Sequence, residues 1–167
     1  MKRLFLIILS AFVLFSACVK EKKEEKKEPA APAVLNFTLK DLEGRTVTLA
    51  GLRGKVVLLE FWATWCAPCR TSVPGTVKLY ETYGSKGLEV LGISLDDGGW
   101  DSVKAFRKDY KITYPVLKGT DDVAEQFGVR TIPMFILLDR DGQVVNHYLG
   151  SGNEEIIEKK IKTLLAG

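Results

Sequence analysis

Glu60-Phe61-Trp62-Ala63-Thr64-Trp65-Cys66-Ala67-Pro68-Cys69-Arg70 is the stretch from which the fold is read. An apolar run from Val56 to Ala63, broken only by Glu60, ends in two cysteines separated by two residues, and a helical pattern begins straight after the first. The chain here delivers a dithiol from a strand to a helix N-terminus. Exposed amides and the helix dipole favour a thiolate over a thiol at such a terminus, which gives Cys66 a physical reason to react at neutral pH. A strand without polar alternation is expected to be covered on both faces, as in the centre of a sheet.

Working outward, the sequence predicts a hairpin from the alternation of Phe37 and Leu39, a turn at Leu42-Glu43-Gly44, and the alternation of Val47 and Leu49. Beyond Cys69, Val73, Val77, Tyr80 and Tyr83 fall at helical spacing up to Gly84, with a kink expected at Pro74. Leu88 to Leu95 reads as a strand and Asp101 to Tyr110 as a helix. Tyr114 to Leu117 reads as a short strand and Val123 to Phe127 as a short helix stopped by Gly128. Met134 to Leu138 and Gln143 to Leu149 flank the turn Asp139-Arg140-Asp141-Gly142. Asn153 is expected to cap a last helix that turns Ile156, Ile157, Ile161, Leu164 and Leu165 inward. The predicted order is hairpin, βα, βα, βα, ββα.

The 167 residues suffice for one core, and the formal charge of +3 is concentrated away from it. Lys2 and Arg3 precede an apolar run from Leu4 to Phe15, then Ser16, Ala17 and Cys18. This resembles a bacterial lipoprotein signal ending in Phe-Ser-Ala-Cys, with Phe15 where Leu is usual. The resemblance implies removal of residues 1–17 and lipidation of Cys18. The other reading is an uncleaved membrane anchor with an inert Cys18. Either puts the domain outside the cytoplasm, tied to a membrane. Residues 18–34, a mixed Lys/Glu block followed by a Pro/Ala segment, read as a solvated tether, and residues 35–167 as the folded domain. The charges of that domain balance, and no basic stripe argues for nucleic acid.

Trp65-Cys66-Ala67-Pro68-Cys69 after a buried strand, Ile132-Pro133 before a later one, and Asp141-Gly142 in the turn that follows resemble the thioredoxin superfamily. The hairpin, the additional helix and strand between Asp96 and Leu117, and the export signal narrow the resemblance to the extracytoplasmic TlpA/ResA-like thiol-disulfide oxidoreductases. It implies an α/β thioredoxin fold: a central mixed sheet flanked by helices, an N-terminal β-hairpin and an extra α/β insertion. It also implies that Pro133 follows a cis bond beside the dithiol and exposes the backbone of Ile132 to a substrate strand. Relatives often carry Thr at the position of Ile132.

Exchange needs a thiolate to attack a sulfur and a second thiol to resolve the mixed disulfide. Cys66 is expected to be the exposed attacker and Cys69, one turn into the helix, the resolving thiol. A disulfide closing so small a loop stabilises little, and a structural zinc site needs more ligands than a lone Cys pair and one histidine. No cofactor beyond a redox-active Cys66–Cys69 disulfide is expected. Glu60 is expensive to bury unless paired or protonated, so its pKa is expected to rise towards neutrality, which suits a proton acceptor for Cys69. The alternative pairs it with Lys55 or another base near a strand end. Trp62 reads as core, Trp65 as a wall of the site, and Ala67 and Pro68 as residues that tune the potential. His147 receives no role.

The function these residues support is reduction of disulfides in exported proteins, with apocytochromes c a client class the resemblance implies and a membrane thiol reductant as electron donor. Three alternatives stand beside it: a thiol oxidant, a peroxiredoxin-like peroxidase, and a copper carrier using His147. Ala63 stands where the peroxidase site needs Thr, and the cysteine spacing is one residue shorter than the carrier's.

Overall fold

The structure, a computed structural model, describes residues 35–167. The candidate signal, Cys18 and the tether therefore lie outside the described residues. Strands β1 (Thr38–Lys40) and β2 (Thr46–Thr48) form the antiparallel hairpin, with Leu39 opposite Val47. The main sheet contains β3 (Val56–Trp62), β4 (Leu88–Ser94), β5 (Val116–Lys118), β6 (Met134–Leu138) and β7 (Val144–Leu149) in the order β5-β4-β3-β6-β7. Strands β3, β4 and β5 run parallel, whereas β6 is antiparallel to both β3 and β7. The helices are α1 (Ala67–Tyr83), α2 (Asp101–Asp109), α3 (Asp121–Gln126) and α4 (Glu154–Ala166). This is the predicted order and a thioredoxin-like mixed sheet, with α2 and β5 as the additional helix and strand.

Every residue of β3 is buried, and the pleat sends alternate side chains to two separate cores. Val56, Leu58 and Trp62 face a core shared with Val73 of α1, Val103 and Phe106 of α2, and Ile157 and Ile161 of α4. Val57, Leu59 and Phe61 face the other, with Phe37 and Leu39 of the hairpin and Val123 and Phe127 around α3. Glu60 belongs by parity to the first face, the one covered by α1.

Several local expectations are corrected. Pro74 does not end α1, which continues to Tyr83, and it lies on the exposed side where the carbonyl it frees can meet water. The buried face of α1 holds Cys69, Ser72, Val73, Thr76, Leu79 and Tyr83, with Val77 and Tyr80 partly buried against the same core, so two hydroxyl residues point inward beside the expected apolar ones. Helix α3 begins earlier than expected because the Thr120 hydroxyl accepts the Val123 N–H at 3.2 Å, an N-cap. Asn153 precedes α4, but its side chain makes no cap; its Nδ2 donates instead to the carbonyls of Leu149 and Gly150. Ile156 is 60% exposed, since Ile157 and Ile161, four apart, define the inward stripe and leave 156 off it. Among the described residues, no helix is long and apolar enough to cross a membrane.

Candidate active site

Cys66 is the N-cap of α1, and Pro68 sits in the first turn, where its missing N–H costs nothing. The Cys69 N–H donates to Cys66 Sγ at 3.2 Å, so the first sulfur occupies the place of a capping oxygen. The two cysteines are joined as a disulfide. Cys66 is only 5% exposed and Cys69 is fully buried. Cys66 is thus the more accessible sulfur, yet nearly covered, which corrects the expectation of an exposed attacker. Its Sγ lies 3.7 Å from the carbonyl oxygen of Ile132, and the Ile132–Pro133 bond is cis.

The loop that presents Cys66 is held at both ends. The Thr64 N–H donates to the Asp96 carboxylate at 3.0 Å, and the Thr64 hydroxyl donates to the same group. Ser94 Oγ adds a third bond to Asp96 at 2.9 Å. Arg70 reaches back from α1, its Nη2 donating to the Thr64 carbonyl at 2.8 Å. Neither Thr64 nor Asp96 stood out in the sequence. The signal is a short polar residue at the end of each of two adjacent parallel strands, legible only once β3 and β4 are known to be neighbours.

Glu60 is completely buried and makes no ion pair among the described residues. Lys55 pairs instead with Glu89 at 2.6 Å, which closes the alternative reading of Glu60. Tyr114 donates its hydroxyl to Glu60 Oε2 at 2.8 Å, and Ser72 Oγ lies 3.1 Å from Oε1. The same Ser72 oxygen is 3.1 Å from the Cys69 carbonyl. Burial pushes the Glu60 carboxyl up to about 7; hydrogen bonds from Tyr114, Ser72 and Thr76 pull it down, and the Glu154 carboxylate pushes it further up. Burial, followed by the Glu60 charge, holds the Tyr114 phenol well above its usual range. Ser72 and Tyr114 were missed by periodicity because neither residue type marks chemistry alone.

A groove of about 560 Å³ opens over the dithiol, lined by Trp65, Cys66, Ala67, Pro68, Leu95 and Ile132 on its sulfur side. Asp121, Ala124 and Arg130 also line it. Trp65 is 68% exposed at its rim, whereas Trp62 is fully buried and stacks on Phe106. Thus Trp65, Ala67, Pro68 and Ile132 gather around Cys66, with Pro133 next in the chain, while Glu60 and Cys69 lie beneath. His147 is on β7 opposite Ile136, exposed, and does not line this groove.

A capped cysteine and its partner on a thioredoxin-like sheet define a thiol-disulfide exchange protein. The comparisons agree. Residues 30–147 match the model of the AhpC/TSA family. The thiol-disulfide oxidoreductase ResA of Bacillus cereus is 34% identical over 96% of this chain and 93% of that protein. ResA of Bacillus subtilis is 30% identical over 98% of this chain and 90% of its own length. A crystal structure of a thioredoxin-family thiol:disulfide interchange protein from Chlorobium tepidum superposes with a TM-score of 0.70 at 29% identity, covering 78% of this chain and 93% of that one. The chain belongs to the AhpC/TSA family, within it to the ResA-type thiol-disulfide oxidoreductases, enzymes whose substrates are disulfide-containing proteins.

Proposed function

We propose that this protein is tethered outside the cytoplasm by a lipid on Cys18, on the periplasmic side where the cell has two membranes, and reduces disulfides of exported proteins. Apocytochromes c are one client class, and a membrane thiol reductant returns the electrons. Cys66 attacks the client sulfur and Cys69 resolves; the pair is the redox centre and no other cofactor takes part. Glu60 accepts the proton that Cys69 must lose. Ile132 offers its backbone beside the cis Pro133 to the client strand, Trp65 contacts it, and Ala67 and Pro68 tune the potential.

The observation that carries this reading is the Cys69 N–H bonded to Cys66 Sγ at the N-terminus of a 17-residue helix, beneath an open groove. That geometry favours a Cys66 thiolate and leaves Cys69 behind it to close the disulfide. The test is trapping in the source cell with Cys69→Ser. An exported protein held on Cys66 and released by dithiothreitol is expected; the absence of any captured exported protein overturns the client assignment.

The same geometry favours a second reading. Whatever stabilises the Cys66 thiolate stabilises the reduced form, and a sufficiently stabilised reduced form makes an oxidant. Titration against glutathione decides the direction. A potential in the range of strong oxidants, about −120 mV, would replace reduction by oxidation.

A further inference from the structure

Glu60 has no cation beside it, yet two hydroxyls converge on it from different elements, and the chain leaves out a side chain to let one of them in. In the parallel register of β3 and β4, Glu60 stands opposite Gly92. A Cβ at position 92 would lie 2.8 Å from Tyr114 Cε2 and 2.8 Å from Trp62 Nε1. The Tyr114 ring therefore occupies the space that any other residue at 92 would fill, and its hydroxyl reaches Glu60 Oε2 from there. The approach is fixed on two sides. The Gly92 N–H donates to the Pro115 carbonyl at 2.9 Å, tying the residue after Tyr114 to β4. The Tyr80 ring of α1 meets the Tyr114 ring edge-on, with centroids 6.2 Å apart.

Ser72 completes the arrangement from α1. Its oxygen is equidistant, at 3.1 Å, from Glu60 Oε1 and the Cys69 carbonyl, but a hydroxyl has one hydrogen to donate. With a proton on Oε1, Glu60 donates to Ser72 and Ser72 donates to Cys69, so each group is satisfied. With Glu60 ionised, the Ser72 hydrogen serves either the carboxylate or the Cys69 carbonyl. The proton on Glu60 is thereby read by the first turn of α1, which carries Cys69. Facing Glu60 are Ser72 and Thr76 from α1, Tyr114 from the segment before β5, and Glu154 from the start of α4. Glu154 packs on α1, where a Cβ on Gly75 would meet its Cγ at 2.5 Å.

We propose that Tyr114 and Ser72 are the positioning residues that hold Glu60 ready to take the Cys69 proton, and that Gly92 is the opening through which Tyr114 reaches it. The inference rests on the reading of Glu60 as proton acceptor. In the step it serves, the Cys69 thiol gives its proton to the Glu60 carboxylate and its sulfur attacks Cys66 Sγ of the mixed disulfide. A Cys66–Cys69 bond forms as the bond from Cys66 to the client sulfur breaks. The client leaves as a thiolate with that electron pair and takes a proton from water. Two electrons pass from the dithiol to the client. Tyr114 donates to the carboxylate outright, and Ser72 does so when its hydrogen turns from the Cys69 carbonyl to Oε1; both bonds pull the Glu60 pKa down, so removing either makes Glu60 hold its proton to higher pH.

The experiment mixes the reduced full chain with 5,5′-dithiobis(2-nitrobenzoate) in a stopped-flow instrument between pH 5 and 9. The first chromophore released reports attack by Cys66, and the second reports resolution by Cys69. In the wild type, the second phase is expected to quicken through a midpoint near 7, following Glu60. Tyr114→Phe is expected to move that midpoint up by about one pH unit or more, the loss of one hydrogen bond to a charged group, leaving the first phase unchanged. Ser72→Ala and Gly92→Ala are expected to move it the same way, and Ser72→Thr to restore it. An unmoved midpoint in Tyr114→Phe and Ser72→Ala, with the midpoint near 7 abolished by Glu60→Gln, overturns the positioning role and keeps Glu60. A second phase untouched by Glu60→Gln overturns the Glu60 reading itself. Should Gly92→Ala fail to fold, the Tyr114 and Ser72 variants decide.

Discussion

On one face of β3, Val57, Leu59 and Phe61 meet apolar neighbours from the hairpin, from around α3 and from β6. On the other, Val56, Leu58 and Trp62 share their surface with Glu60, and the helix above turns Ser72 and Thr76 inward to meet it. The apolar face is sufficient to fix the strand in the sheet. A buried carboxylate without a cation opposes folding once it ionises, so stability does not call for Glu60. One serine links it to the Cys69 carbonyl, and the role proposed for it as proton acceptor is what would call for it there. The contrast separates what the sheet requires from what the chemistry requires, and each face can be perturbed on its own.

The largest effect is expected on the apolar face. Phe61 is fully buried, with its ring centroid 5.9 Å from that of Phe127. Phe61→Ala removes those contacts and leaves a cavity, and a loss of about 3–5 kcal/mol is expected in urea unfolding of the oxidised protein. The pH midpoint of the resolving step is expected to stay at its wild-type value. A midpoint displaced as in the Tyr114 variant would mean that the two faces are not independent.

On the polar face the expected effect is smaller and depends on pH. Burial raises the Glu60 carboxyl from 4.5 to about 7 in the folded protein. The folded state therefore holds the proton more tightly than the unfolded chain. The stability this provides is complete below about pH 4.5 and is lost as the pH rises through 7. At about 1.4 kcal/mol per pH unit, the loss attributable to Glu60 is on the order of 3 kcal/mol. Glu60→Gln, compared with the wild type by urea unfolding at pH 4.5, 6 and 8, is expected to lack this decline and to gain relative stability towards pH 8. Parallel curves for the two proteins would show that Glu60 ionises in the folded state as freely as in the unfolded one.

How much of this was legible in the sequence follows the same division. Features carried by periodicity were readable: the run from Val56 to Ala63, the alternation in the hairpin, and the Cys-x-x-Cys step into α1 all depend on neighbours along the chain. The burial of Glu60 was readable too, because a carboxylate in an apolar run has nowhere else to go. Its partners were not. Tyr114 lies 54 residues away and Ser72 is an ordinary helix residue, and their convergence depends on the register that sets Glu60 opposite Gly92. Ile156 misled because five apolar residues fell near helical spacing, and only packing shows which four make the stripe. The near-burial of Cys66 was hidden for the same reason: the segment that covers it, at Ile132, is 66 residues away. The lipidation reading of Cys18 concerns residues outside those described.

The smallest expected effect compares two glutamates of adjacent strands. Glu89 on β4 is partly exposed and has Lys55 at 2.6 Å, while Glu60 on β3 has no cation. The hydrogen bond to Glu89, then its charge, raise the Lys55 pKa, so the lysine keeps its charge throughout the neutral range. Lys55 is 49% exposed, however, and water and salt screen most of the attraction. Lys55→Met is expected to cost about 0.2–1 kcal/mol in urea unfolding at low salt, and less in 1 M NaCl. It is also expected to leave the resolving step at its wild-type midpoint. A shifted midpoint would mean that the lysine's field reaches the buried carboxylate, and Glu60 would then answer to a cation at the strand's far end as well as to the two hydroxyls. An unchanged midpoint with a small, salt-sensitive loss leaves the Lys55–Glu89 pair as a weak contact at the strand's edge, with no hold on the Glu60 proton.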